Sequence, residues 1–183
     1  MDEPVKCLGR VYSAELKDRA RVDEVKKMLI DGLDVIGKSE VQGTIECWMY
    51  QFGLLPRIMW PLMMYKLPLT AVEEFERRST GCIKKWLCAP KSLTSLALYS
   101  KDTVLQLPIK SLLDEFKLSK CRNVSGFQES KDPVVYSVQP EVVTGRKWKA
   151  SEEVRDAERD LFTECIVGVV QCGRAGLGYN VRI

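Results

Sequence analysis

Apolar residues recur three and four positions apart over much of this chain, and that interval is the period of an α-helix. Comparable stripes run through residues 72–86 and 109–118, and the clearest one consists of Val22, Val25, Leu29, Leu33 and Ile36. A helix with one apolar face has to bury that face against a neighbour, so the pattern predicts a mainly α fold, a helical bundle. With 45% hydrophobic residues the chain can supply the core.

Capping residues and glycines predict where the first helices begin and end. Asp18 is a suitable cap for a first helix, which Gly37 should end. Ser39 should open a second helix that runs to Phe52, with Gly53 as its stop.

Prolines and a capping box divide the next part of the chain. Residues 57–66 are apolar nearly all round, so this segment should be buried, with a kink or a break at Pro61. Thr70 and Glu73 match a capping box, which should open a helix that runs to about Leu87.

The N-terminal region and the region before the last helix have a different pattern. Residues 5–12 are β-prone and predict a short strand or hairpin. Residues 123–150 combine turn signals with the extended run 134–138, so they predict a loop-rich stretch with minor β structure. Ser151 then caps a last helix to about Val170.

Positive charge is concentrated in the middle of the chain. From Arg77 to Arg122 ten Lys or Arg residues face three acids, a net charge of +7, whereas the whole chain carries +3. A focused basic band favours binding of a polyanion, because each phosphate that it neutralises releases counterions. A solvated helix face is the alternative that composition leaves open.

A second basic patch, with an aromatic residue inside it, lies in the loop-rich stretch. The segment reads Gly-Arg-Lys-Trp-Lys over residues 145–149. The Trp148 ring could stack on a base while Arg146 and Lys147 contact phosphates. Packing of Trp148 in the core or an interface is the competing interpretation.

The composition argues against most kinds of catalytic site. The chain has no histidine, which excludes His-containing zinc sites and triads with a histidine base. We therefore expect no catalytic residues, no metal and no cofactor, although a lone cysteine nucleophile stays open. Seven scattered cysteines without a Cys-x-x-Cys pair, and no apolar run of signal or membrane length, favour a reducing compartment, cytoplasmic or nuclear.

Three segments together resemble a known family. They are Cys7-Leu-Gly-Arg-Val-Tyr12, Leu55-Pro-Arg-Ile-Met-Trp-Pro-Leu-Met-Met-Tyr65, and the stretch from Phe75-Glu-Arg-Arg78 to Ile83-Lys-Lys-Trp-Leu-Cys-Ala-Pro-Lys-Ser92. Their order and spacing are similar to the C-terminal part of reverse transcriptases of LINE-type (non-LTR) retrotransposons. In that family they form the primer-grip hairpin, an apolar helix and the thumb. The resemblance implies a thumb-like bundle that contacts a DNA or RNA duplex.

The resemblance also implies roles for particular residues. Leu8, Gly9 and Arg10 would match the primer grip. The thumb positions near the duplex would be Arg77, Arg78, Lys84, Lys85, Lys91 and Ser92. The fingers and palm of the family, with the Tyr-x-Asp-Asp motif, are not in this sequence, so we expect no polymerisation by this chain alone.

The domain organisation that follows has three parts. Residues 1–122 would be the primer-grip remnant and thumb-like domain, 123–150 a loop-rich linker with minor β, and 151–183 a C-terminal helix with a flexible glycine-rich tail. Two alternatives stay open: a functionless product of a decayed retroelement, and a protein-interaction module. The latter would self-associate or bind a partner through apolar surface around Trp60, Met63, Met64 and Tyr65. No contact with a membrane is expected.

Overall fold

The computed structural model describes residues 5–7, 10–12, 19–99, 109–138 and 142–160. Within these ranges the chain is mainly helical, which confirms the predicted fold class. The chain divides into two compact units, residues 1–120 with 144–148, and residues 121–143 with 149–183. The three-part division predicted from the sequence stays a prediction.

A short hairpin stands at the N-terminus. Strand β1 (Val5–Cys7) pairs antiparallel with β2 (Arg10–Tyr12), and Cys7 lies opposite Arg10. The predicted strand or hairpin is therefore a hairpin. Leu8 and Gly9, which connect the two strands, lie outside the described residues.

Helices make up most of the first unit. They are α1 (Arg19–Gly37), α2 (Gly43–Met49), α3 (Leu55–Met64), α4 (Leu69–Trp86) and α5 (Ser95–Tyr99). A π-helical turn, Tyr50–Leu54, joins α2 to α3. Helix α6 (Leu112–Gln128) begins in this unit, while α7 (Pro133–Val138) and α8 (150–160) belong to the second unit.

Helix α1 has the predicted extent, but Ser39 does not open the second helix. The Ser39 hydroxyl donates a hydrogen bond of 2.6 Å to the carbonyl of Ile36, so it closes α1. Helix α2 begins at Gly43 instead. Serine satisfies a carbonyl as readily as it caps an amide, and both roles occur next to a helix end.

Gly53 was predicted to stop the second helix, and this prediction is wrong. The backbone stays helical from α2 through the π-helical turn into α3. A Cβ on Gly53 would meet nothing within 4 Å, so no local contact forces the chain out of the helix there. Pro56 follows the π-helical turn directly, at the second residue of α3. The helix also continues past Pro61, so the predicted break does not occur.

The predicted capping box does not form. Helix α4 begins at Leu69, its cap position is Pro68, and no side chain caps it. The Pro68 carbonyl accepts the amides of Ala71 at 3.0 Å and Val72 at 3.4 Å. Thr70 is therefore a residue of the first turn, because the fixed φ of proline already sets the extended entry to the helix.

The minor β structure predicted for 123–150 is absent from the described part of that stretch. Helix α6 runs to Gln128, and the β-branched run falls in α7. Asp132 Oδ1 accepts the amide of Val134 at 2.8 Å, so Asp132-Pro133 is a cap and first helical residue and not a turn. β-Propensity reflects packing within a sheet, and the two described strands pair only with each other.

The core of the first unit is built from the apolar faces of α1, α3, α4 and α6. Its fully buried members include Leu29, Ile58, Phe75, Ile83 and Phe116. Lys120, on α6, is a buried charged residue beside this core. Its ammonium donates a 3.0 Å hydrogen bond to the carbonyl of Met63, at the end of α3, where a helix leaves carbonyls unpaired.

Candidate nucleic-acid interface

Helix α4 arranges its basic residues in two neighbouring lines. Arg77 and Lys84 are seven residues apart, as are Arg78 and Lys85, which places each pair on one line about 10.5 Å apart along the axis. The buried face of the helix carries Val72, Phe75 and Ile83. Helical periodicity therefore separates the basic lines from the core.

A Schellman motif ends α4 and directs the chain away from the helix. The amide of Cys88 bonds the Lys85 carbonyl at 3.1 Å, and the amide of Ala89 bonds the Lys84 carbonyl at 2.8 Å. Cys88 has a φ of 51°, the left-handed conformation that this motif requires. Lys91 and Ser92 follow in the turn beyond it, and both are exposed.

Lys84 is engaged inside the unit. Its side chain is half-buried, and the ammonium donates a hydrogen bond to the carbonyl of Leu93. This contact ties the turn after α4 back onto the helix. A phosphate contact by Lys84 would have to compete with that bond.

Arg77 and Arg78 contact the acidic first half of their own helix. Arg78 forms an ion pair of 3.0 Å with Glu74, which also pairs with Lys26 at 3.0 Å. Hydrogen bonds from Lys26 and Arg78 lower the pKa of Glu74. Arg77 Nε lies 3.4 Å from the Glu73 carbonyl and donates a hydrogen bond to it. Both guanidinium groups remain exposed to solvent.

The second basic patch, residues 145–149, contacts α4 through an ion pair. Lys147 forms an ion pair of 2.5 Å with Glu73, and Thr144 Oγ1 donates to the Trp148 carbonyl at 2.7 Å. Gly145 adopts a φ of 97°, which a glycine tolerates without strain. Arg146 is exposed in the same loop.

Trp148 packs against the core and is half-buried. The ammonium of Lys117 lies 5.7 Å from its ring centroid, within cation–π range. Trp148 therefore packs in the core, as the competing interpretation of the sequence predicted. A base could stack only on the part of the ring that stays exposed.

Six of the nine candidate contact residues fall into two groups of three. Lys84, Arg78 and Lys147 are held by partners within the unit. Within the described part of the chain, the side chains of Lys85, Lys91 and Arg146 form no ion pair or hydrogen bond, and all three are exposed. Of the three predicted primer-grip residues, the structure describes only Arg10, whose backbone pairs with that of Cys7 in the hairpin.

Sequence reasoning missed a partly buried hydrogen-bond network around Glu76. One carboxylate oxygen of Glu76 accepts the amide of Leu113 at 3.1 Å, at the start of α6, and the other accepts Thr80 Oγ1 at 3.2 Å. Thr80 in turn bonds the Tyr99 hydroxyl at 2.9 Å. The sequence signal was Ser111, whose hydroxyl accepts the Asp114 amide at 3.1 Å as an N-cap. Glu76 supplies negative charge to the same positive helix end.

The predicted apolar surface is only partly present. Trp60 is 55% exposed and Met63 and Met64 are half-buried, whereas Tyr65 is buried. Two further exposed aromatic residues, Trp48 and Phe52, were not singled out from the sequence.

Two other kinds of site are absent from the described ranges. There, no three His, Cys, Asp or Glu side chains gather into a group that could hold a metal ion. Nor is any helix in those ranges both long and apolar enough to span a membrane.

Comparison with protein-family models, with curated proteins and with solved structures found no match. The resemblance to LINE-type reverse transcriptases stays a prediction from the sequence motifs.

Proposed function

We propose that this chain is a nucleic-acid-binding, thumb-like helical module similar to the C-terminal part of a LINE-type reverse transcriptase. It would hold a DNA or RNA duplex without polymerising alone. One observation carries this proposal. Lys85, Lys91 and Arg146 lie in a single compact unit, are exposed, and form no side-chain ion pair or hydrogen bond within the described part of the chain. Cations that are not neutralised by the protein are available to neutralise phosphates.

The end of α4 suits this role once its carbonyls are considered. The carbonyl end of a helix carries partial negative charge and repels phosphate. Here the Schellman motif occupies the carbonyls of Lys84 and Lys85 with hydrogen bonds. Lys85 and Lys91 add positive charge at the same end. Contacts of this kind position a duplex but read no base sequence.

The test is a fluorescence-anisotropy titration of the full chain with a labelled duplex at ~50 mM and ~200 mM salt. We expect affinity to fall steeply with salt, and K85E/K91E to lower both the affinity and the salt slope. The matched control is K131E/R155E, which reverses two exposed charges in the other unit. No affinity at low salt, or an equal loss in the two variants, would contradict the proposal.

A protein-interaction module is the second candidate, favoured by the exposure of Trp60. An exposed tryptophan beside two half-buried methionines is a common anchor of protein contacts. Sedimentation velocity of the wild type and of Trp60→Ser tests self-association through this surface. A monomeric wild type would argue against that form of the alternative.

A further inference from the structure

An open groove runs along the helical hairpin that α1 forms with the α2–α3 segment. Its volume is about 860 Å³. The α1 wall includes Glu24, Lys27, Met28, Asp31 and Val35. These positions follow helical spacing, and the eleven steps from Glu24 to Val35 rise about 16.5 Å, or three turns. The opposite wall includes Trp48, Phe52 and Arg57.

One end of the groove is apolar and exposed. Val35 is 67% exposed, Trp48 62% and Phe52 59%, and the rings of Trp48 and Phe52 lie 5.4 Å apart between centroids. Single exposed apolar residues are ordinary, but a contiguous group in a groove marks an interaction site. Phe52 also lies in the π-helical turn, a feature that recurs at functional sites.

The other end of the groove is charged. Helix α1 and the π-helical turn pack closely at Gly32, where a Cβ would lie 2.3 Å from the side chain of Leu54. Because consecutive helices joined by a short connection run antiparallel, Val35 lies toward Trp48 and Lys27 lies toward Arg57. The groove therefore changes from apolar to charged along its length.

The charged end favours an acidic occupant. Glu24 is already paired with Arg21. Lys27, Asp31 and Arg57 are exposed and form no ion pair within the described part of the chain, which leaves two cations against one carboxylate. The exposed apolar end of the groove favours a protein over a nucleic-acid duplex, whose outer surface is charged phosphate. A second copy of this chain would present a rim of the same net positive charge.

We infer that this groove binds an acidic amphipathic α-helix of a partner protein. Three turns of a helix fill its length, apolar residues at i, i+3, i+4 and i+7 would pack on Val35, Trp48 and Phe52, and acidic residues would face Lys27 and Arg57. The inference is independent of the proposed duplex contact, because no residue of the groove belongs to the basic candidates.

The probe is a fluorescein-labelled peptide of Leu, Ala and Glu, about 14 residues long, with leucines at helical spacing. A second peptide carries Lys in place of every Glu. We expect the full chain to bind the acidic peptide more tightly, and Val35→Glu to weaken binding at least about tenfold. The control is Val134→Glu on α7, a position with the same 67% exposure, which should leave affinity unchanged. Circular dichroism checks that both variants are folded.

Three results would overturn the inference. One is equal affinity for the two peptides, and another is an equal effect of the two substitutions. The third is a failure of the acidic peptide to shift the Trp48 indole N–H resonance. Displacement of the peptide by a single-stranded oligonucleotide, or a wild-type dimer that Val35→Glu dissociates, would assign the groove to another occupant and reject the partner helix.

Discussion

At the scale of single residues, Cys88 has a strained backbone conformation. Its φ of 51° is costly for a residue with a Cβ and ordinary for glycine. Cys88→Gly should therefore raise the free energy of unfolding by about 0.5–1 kcal/mol, measured by urea denaturation. Cys82→Gly, inside α4, should lower it. A loss of stability in both variants would contradict the assignment of strain to Cys88.

Lys84 and Lys85 are neighbours with different roles. Lys84 bonds the Leu93 carbonyl, whereas Lys85 is exposed and unengaged. Lys84→Met should lower the free energy of unfolding by ~1–2 kcal/mol, because a charge-assisted hydrogen bond is lost. Lys85→Met should leave stability unchanged and weaken duplex binding. Urea denaturation and fluorescence anisotropy on both variants check this. A loss of stability in Lys85→Met, with weaker duplex binding only in Lys84→Met, would contradict these roles.

At the scale of elements, Gly43 controls how α2 meets α4. A Cβ at this position would lie 1.9 Å from the carbonyl oxygen of Trp86, a backbone atom that cannot move aside. Gly43→Ala should therefore cost ~1–3 kcal/mol of unfolding free energy. Gly81 is the matched control, because a Cβ there meets nothing within 4 Å. Gly81→Ala should stabilise α4 by up to about 1 kcal/mol in the same thermal or urea titration.

Helices were predictable from the sequence where a long apolar stripe defines them, as in α1. Their starts were less predictable, because Ser39 and Thr70 can each serve as a cap, a closing residue or a first-turn residue. Only the neighbouring backbone decides among these roles. The prediction of β structure at residues 134–138 was wrong for a related reason, because a β-prone sequence forms a strand only beside another strand.

The candidate interface shows the same limit. Its basic residues can be identified in the sequence, but the ion pairs and packing contacts that they form within the protein cannot. Lys147 pairs with Glu73, and Trp148 packs near Lys117, through contacts between residues far apart in the chain. The aromatic pair in the groove had a local signal, Trp48 and Phe52 four residues apart, but only the packing shows that both are exposed.

At the scale of the whole molecule, a charge count over one stretch overstates the available charge. The acids Glu73 and Glu74 lie just before the basic band and pair with Lys147 and Arg78. The remaining positive field comes from fewer side chains than the sequence suggests. Duplex binding should therefore show a smaller salt slope than ten basic residues would give, because only the cations without a partner in the protein set it.

The stability of the whole fold should fall at alkaline pH. Burial raises the pKa of Tyr50 and Tyr99 well above the usual range, and burial together with Glu46 raises that of Cys47 from 9.0 to about 11. Each of these groups binds its proton more tightly in the folded state. Their contribution is therefore fully present below pH 9 and is lost as the pH rises toward and beyond 11.

Urea denaturation across this range should show a constant unfolding free energy below pH ~8.5 and a steep decline above pH ~9. Tyr50→Phe removes one of the buried groups and should make the decline shallower. Tyr136→Phe changes an exposed tyrosine on α7 and is the matched control, which should leave the profile as in the wild type. A decline that is equally steep in all three proteins would mean that another group drives alkaline unfolding. In that case the buried hydroxyl of Tyr50 would not limit the pH range of the fold.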